Sequence, residues 1–398
     1  MSASVRSLLV DLGCVVLLFL LVGFLPTHQV VHPSMQTQVN EAVTREVSLA
    51  HGLSWYPKFW PPLYPSVLWA IARTAFPLAR TNTVFYTALL VMVAAFLRRH
   101  VGRREAFLAV LLLAVLEPAA WNLRQLMAET LFTLQSMAVL AILARDRERP
   151  SATNVALAAL LTGAGAMTRY FGFFWPAFPL GVALVIGPQS WRTKLARCAL
   201  AAAVLVATTA PWLVHVHAVT GHWSGAVRDQ SAQVPMTGRP NDALTSTVWT
   251  GKTLLVDLLS PTRVARLGVI QSDAVTRGEW AMLVFVAPSL ILIGAGLARR
   301  LRARPRPASL VTVRALPALF AASYLVALIA VWSIANTDPI NSRFLYPSYP
   351  FLVMAGFVAA RAAGPAWRDR LPYLHLYGVV LATSVIRQVA LLKGPAGP

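Results

Sequence analysis

The feature that most constrains this chain is a train of apolar runs separated by short arginine-rich segments. Each run is about 17–22 residues long, enough to cross a bilayer as one helix, since the hydrocarbon core is ~30 Å thick. The runs lie near 8–25, 62–79, 82–97, 105–121, 129–144, 153–168, 171–187, 196–217, 280–298, 313–335, 345–361 and 371–391. Hydrophobic residues make up 57% of the chain and the mean hydropathy is +0.60, which excludes a soluble globular domain. Lysine and arginine outnumber aspartate and glutamate by 35 to 15. In a soluble protein that excess would point to nucleic acid. Here the cations stand between apolar runs, where basic loops set membrane topology, so the expected partner is the bilayer and not a nucleic acid. The two cysteines, Cys14 and Cys198, both lie inside apolar runs, so neither a disulfide framework nor a cysteine metal site is expected. The first run follows Arg6 and lacks a small-x-small cleavage site, which reads as an uncleaved anchor.

Loop arginines decide which runs cross. If the run containing "FWPPLYPSVLWAIARTAFPLAR" (59–80) crossed, "RRHVGRR" (98–104), "RDRER" (145–149), "WRTKLAR" (191–197) and "RRLRARPRP" (299–307) would face outward while Arg6 faced inward. If it does not cross, all of them join Arg6 and "RAAGPAWRDR" (361–370) in the cytoplasm, together more than half of the basic residues. The run also holds Arg73, Pro61, Pro62, Pro65 and Pro77, poor components of a lipid-exposed span. It therefore reads as an interfacial or re-entrant helix on the outer face. The expected architecture is an all-α polytopic plasma-membrane protein of about eleven spans, with the N-terminus inside and the C-terminus outside. One membrane domain covers 1–398: a module over 1–220 with a first outer loop at 26–81, a second outer loop at 218–279, and C-terminal spans over 280–398.

On this topology the ionisable groups near span ends gather on the outer face: Glu41, Arg45, Glu46, His51, Lys58, Arg124, Glu129, Arg169, Asp338 and Arg343. Such groups are costly at a membrane edge unless used or satisfied. In "QTQVNEAVTREVSLAHG" (36–52), Val39, Val43 and Val47 recur at helical spacing, and Glu41 and Arg45 fall at i and i+4 on another face. Either glutamate is a solvated surface charge or a general base held above the bilayer. Glu129 opens a span, where an acid complements the helix dipole or serves chemistry. Arg169, beside Tyr170, is either a snorkelling interfacial arginine or a planar fork for phosphate oxygens, and Arg343 has the same two readings. His215 and His217 are two apart and face different sides of a helix, so no metal pair is expected.

Five segments, in order, resemble polytopic glycosyltransferases of the GT-C fold, specifically the dolichyl-phosphate-mannose–protein mannosyltransferase-like group (family 39). They are "AHGLSWYPKFWPP" (50–62), "FWPPLYPSVLWA" (59–70), "RQLMAETLFTL" (124–134), "GAGAMTRYFGFFWP" (163–176) and "SRFLYPSYPFLVMAG" (342–356). The resemblance implies a metal-independent, cofactor-free, inverting enzyme. It would take a sugar from a polyprenyl- or dolichyl-phosphate donor at the outer face and pass it to a protein, lipid or polysaccharide acceptor. It implies a carboxylate base among Glu41, Glu46 and Glu129, lipid-phosphate contacts from Arg169, Arg343 and Arg124, and sugar or acceptor contacts from His51, Lys58, Tyr64 and Tyr170. One departure stands out. The group carries an aspartate about fourteen residues before the glycine matched by Gly52, whereas this chain has Gln38 there and no aspartate between Asp11 and Asp146. A neutral amide cannot be a general base. Glu41, one turn on, is the first candidate to replace it. The alternatives are a non-catalytic member of the fold, or a transporter of a lipid-linked intermediate, which would carry ionisable residues deep in its spans.

Overall fold

The computed structural model describes residues 61–116, 127–186, 189–221, 242–259, 277–302, 312–334, 342–363 and 367–392, together with Leu17, Leu123 and Trp223. Every regular element among them is a helix. In chain order these are α1 (Leu63–Ala72), α2 (Thr81–His100), α3 (Arg103–Val115), α4 (Glu129–Glu148), α5 (Ala152–Thr168), α6 (Ala177–Val185), α7 (Trp191–Thr220), α8 (Ala243–Leu259), α9 (Arg277–Arg302), α10 (Leu316–Ile334), α11 (Ser342–Leu345), α12 (Tyr349–Ala363) and α13 (Trp367–Leu392). Short 3-10 turns at Tyr170–Phe173 and Tyr346–Ser348 lead into α6 and α12.

Among the described residues, three segments are long and apolar enough to cross a membrane by themselves: Thr81–His100, Trp191–Ala218 and Val313–Ser333. By contrast α1 has ten residues and is about 15 Å long, half a hydrocarbon core. Its end is polar: the Arg73 guanidinium lies 3.8 Å over the Trp69 ring and both its neighbours are exposed.

Local chemistry explains the helix ends. Ser151 and Ser190 cap α5 and α7, accepting hydrogen bonds from the Asn154 and Thr193 amides at 3.1 and 3.3 Å. Gly221 ends α7 in the left-handed conformation, φ 72°, that a Cβ disfavours. Lipid tails are as apolar as leucine, so helices in a membrane associate through close packing and polar links. The small-residue face of α5 uses the first route. A Cβ on Gly163 would come within 2.7 Å of the Thr208 Cβ on α7, so the α5 backbone lies directly against the Thr208 side chain. Polar links join the other helices. The Thr168 hydroxyl on α5 donates to Gln135 Oε1 on α4 at 2.9 Å, and the Trp175 indole donates to the Phe320 carbonyl and Ser323 Oγ of α10 at 3.0 and 3.1 Å. Trp175 is fully buried, and its ring meets Phe132, Phe320, Tyr324 and Phe351 mostly edge to face.

One element lies where the sequence predicts only a polar outer loop. Helix α8 falls inside the 218–279 segment and packs against α9, α10, α11 and α13. Its last turn ends on α13, where Arg387 donates to the carbonyls of Val256 and Asp257 and Thr383 donates to that of Leu258. These are carbonyls a helix C-terminus leaves without intrahelical partners. Tyr349, at the start of α12, donates its hydroxyl to the Asp257 carboxylate. Buried Asp257 and Arg387 thus tie three elements together.

Candidate functional site

The two ends of the helix bundle differ in chemistry. At one end the basic loops are laced by pairs between the ends of helices: Arg99 with Glu148, Arg197 with Asp146, and Arg361 with Glu105 at 4.0 Å. Helix α4 begins about 30 Å away, a length set by its twenty residues. Its first residue is Glu129.

The Glu129 side chain is 0% exposed and its carboxylate is paired with the guanidinium of Arg169, a residue whose side chain is 18% exposed. The acid is therefore enclosed, and of the two side chains only that of Arg169 reaches an accessible surface. Its geometry follows from local structure. Glu129 sits at the N-terminus of α4, where a negative charge is favoured. Arg169 follows the last residue of α5 in extended conformation, and its amide still closes that helix by donating to the Gly165 carbonyl at 2.9 Å. The chain then doubles back: the Gly172 amide donates to the Arg169 carbonyl at 2.8 Å. A Cβ on Gly172 would lie 2.4 Å from the Ala166 amide nitrogen and 2.5 Å from the Gly165 carbonyl carbon. Only glycine allows that backbone approach. So "GAGAMTRYFG" turns sharply enough to aim Arg169 at α4.

Three aromatic residues surround the pair. Tyr346, buried in the 3-10 turn before α12, stands near Thr130 and within electrostatic reach of Glu129. Tyr324 on α10 is within reach of both Arg169 and Glu129, and its hydroxyl donates to the Phe344 carbonyl in α11. Tyr170 lies beside Trp212 of α7, and burial raises its phenol above the usual value despite the opposing indole. On the next turn His217 stacks on Trp223 at 4.2 Å.

Of the residues singled out in the sequence, the structure brings together Glu129 and Arg169, with the α11 backbone that carries Arg343 joined to them through Tyr324, while Tyr170, next along the chain, packs toward Trp212. Tyr64 is buried on α1 and donates its hydroxyl to Asn82 Oδ1 at 3.1 Å, while Asn82 donates to the Met127 carbonyl at 3.0 Å. Tyr64 thereby braces the segment just ahead of Glu129. With Leu68 it also packs against Ala128 and Leu131, which sets α1 at the Glu129 end of the bundle. Glu41, Arg45, Glu46, His51, Lys58, Arg124 and Asp338 lie outside the described residues, as does the side chain of Arg343. Sequence reasoning missed Thr130, Tyr324 and Tyr346 as neighbours of the pair. The "YPSYP" segment is the only trace of this wall in the sequence, and it names no partner. Among the described residues no group of histidine, cysteine or acidic side chains is gathered to hold a metal ion.

No protein-family model matches the chain, and no curated protein matches it by sequence. Its structure is similar to that of ArnT from Cupriavidus metallidurans in the apo state, with a TM-score of 0.56 and 14% identity over 98% of this chain and 77% of that one. The same protein bound to undecaprenyl phosphate also matches, with a TM-score of 0.56 and 12% identity over 98% and 76%. At these identities the likeness speaks to the fold alone, an all-α fold of the GT-C type.

Proposed function

We propose that this integral membrane protein is a glycosyltransferase that moves a sugar from a polyprenyl-phosphate donor to an acceptor at the outer membrane face. The observation that carries the reading is the Glu129–Arg169 pair, an enclosed carboxylate holding a partly exposed arginine side chain at the end of the bundle away from the basic loops. Guanidinium is suited to a lipid phosphate because its planar fork matches phosphate oxygens and it stays charged. The fold is shared with a protein solved with undecaprenyl phosphate bound, which supports the same ligand class here.

In the proposed reaction the acceptor hydroxyl gives its proton to a carboxylate and its oxygen bonds to the anomeric carbon. The bond from that carbon to the lipid-phosphate oxygen breaks, and the lipid phosphate leaves with the electron pair and inverted stereochemistry at the sugar. The leaving group needs positive charge more than a proton, and Arg169 supplies it, joined by Arg343 and Arg124. Glu129 is committed to Arg169, so it acts as a positioning residue and the base falls to the first outer loop, to Glu41 before Glu46. His51, Lys58 and Tyr170 are the proposed contacts for sugar or acceptor.

The test is transfer from labelled polyprenyl-phosphate sugars in membranes carrying the protein. Arg169→Gln should lower the rate by about 10²–10³-fold, the scale of a lost preorganised donor to a developing charge, and Arg169→Lys should recover part of it. Glu41→Gln should cost about 10²–10⁴-fold, the scale of a general base. Wild-type transfer by Arg169→Gln would overturn the phosphate role, and a wild-type chain inert on every donor would favour a non-catalytic member of the fold.

A further inference from the structure

A second feature lies at the other end of the helix bundle. A cavity of about 380 Å³ opens between α3, α8, α12 and α13. It is separate from the Glu129–Arg169 pair, and its charged end carries the Arg361–Glu105 contact on the basic-loop side. Four charged residues ring that end: Arg104, Glu105, Arg361 and Arg370. Above them the walls are mostly apolar, and two of the three lining tyrosines donate their hydroxyls to protein groups: Tyr377 to the Leu108 carbonyl and Tyr349 to Asp257. From Arg361 to Tyr349 along α12 the groove is about 18 Å long, close to the ~15 Å of one bilayer leaflet.

We infer that this groove is a binding site for an anionic glycerophospholipid of the leaflet on the basic-loop side, with its phosphate at the arginines and an acyl chain along α12. Charge complementarity selects this occupant. Arg104 and Arg361 line the charged end and are exposed to receive an anion. The cytoplasmic leaflet is where anionic lipids meet basic loops. A zwitterionic lipid fills the same apolar groove, but its own cationic head offsets the attraction of its phosphate to Arg104 and Arg361. Gly356 on α12 leaves the floor open: a Cβ built there meets nothing within 4 Å.

That glycine supplies the test. Gly356→Leu places a side chain in the groove without displacing the backbone, and leucine favours the helix over glycine. The protein is purified in detergent, given dioleoyl-phosphatidylglycerol or dioleoyl-phosphatidylcholine, and examined by native mass spectrometry and thermal melting. The wild type should retain one phosphatidylglycerol and melt higher with it than with phosphatidylcholine. Gly356→Leu should lose both effects, and Arg104→Gln with Arg361→Gln should reduce the preference for phosphatidylglycerol by about tenfold. Equal retention of the two lipids by the wild type, undiminished retention by Gly356→Leu, or an unchanged preference in the double variant would overturn the site. None of these readouts depends on sugar transfer.

Discussion

At the residue scale the structure converts two ambiguous side chains into one unit. Glu129 taken alone is a helix-dipole acid, and Arg169 taken alone is an interfacial cation. Forty residues apart, they carry no spacing signal that would pair them; only the packing of α4 on α5 does. Breaking a buried pair by removing one partner typically costs about 3–5 kcal/mol, because the remaining charge is left uncompensated. Glu129→Gln should therefore lower the melting temperature of the purified protein, and it should raise the KM for the lipid donor more than it lowers kcat. A loss confined to kcat would make Glu129 the base instead of the anchor. Gly172 is the second lever. The close approach of its Cα to the last turn of α5 leaves no room for a methyl group. Gly172→Ala must push that turn away at a cost of about 1–3 kcal/mol. The expected outcome is a destabilised protein that binds donor weakly although Arg169 is still present, and unimpaired donor binding would show that the tight turn does not aim the arginine.

At the scale of elements, apolar period and arginine placement made most helices legible, and where the reading fell short the reason is physical. Run 129–144 became Glu129–Glu148, run 153–168 became Ala152–Thr168, and run 196–217 became Trp191–Thr220 with its serine cap and glycine stop. Helix α8 escaped because "ALTSTVWTGKTLLVDLL" mixes threonine, lysine and aspartate with its leucines and reads as loop. Its stability comes from partners far along the chain, above all Arg387 and Thr383 on α13. Its first turn is local: Asp242 accepts from the Thr245 amide at 2.6 Å, and that hydrogen bond holds the carboxyl below its ordinary value. A depressed folded value means the cap acts once pH is above the unfolded carboxylate range near 4 and is lost as pH falls through the lower folded value. Hydrogen exchange at residues 243–247 should thus speed up in strong acid, and Asp242→Ala should show the faster exchange at neutral pH. The close contact of α5 with α7 predicts a sharper failure. Gly163→Leu must drive a side chain into Thr208, so expression in membranes should drop while Gly181→Leu, which meets open space, should be tolerated.

At the scale of the whole molecule, the question is which end faces which side. The sequence places the basic loops together by counting spans, and the structure gathers several of them at one end independently, through Arg99–Glu148, Arg197–Asp146 and Arg361–Glu105. Glu129 and Arg169 lie at the opposite end. The parity of the count hinges on α1, whose length of about 15 Å is half a hydrocarbon core. If α1 stays on one side, α2 enters from outside, the 98–104 turn is cytoplasmic, and the first loop with Glu41 shares the face of Arg169. Cysteine accessibility decides this directly. In a background with Cys14 and Cys198 replaced by alanine, a membrane-impermeant maleimide applied to intact cells should label Arg73→Cys, Asn241→Cys and Gly397→Cys. Arg103→Cys and Ser309→Cys should label only after permeabilisation. Labelling of Arg103→Cys from outside would mean that α1 crosses after all, which would put Arg6 and the later basic loops on opposite sides against the charge rule. It would also separate the loop-one glutamates from Arg169 by the thickness of the membrane, leaving Glu129 as the remaining candidate carboxylate on the arginine's side.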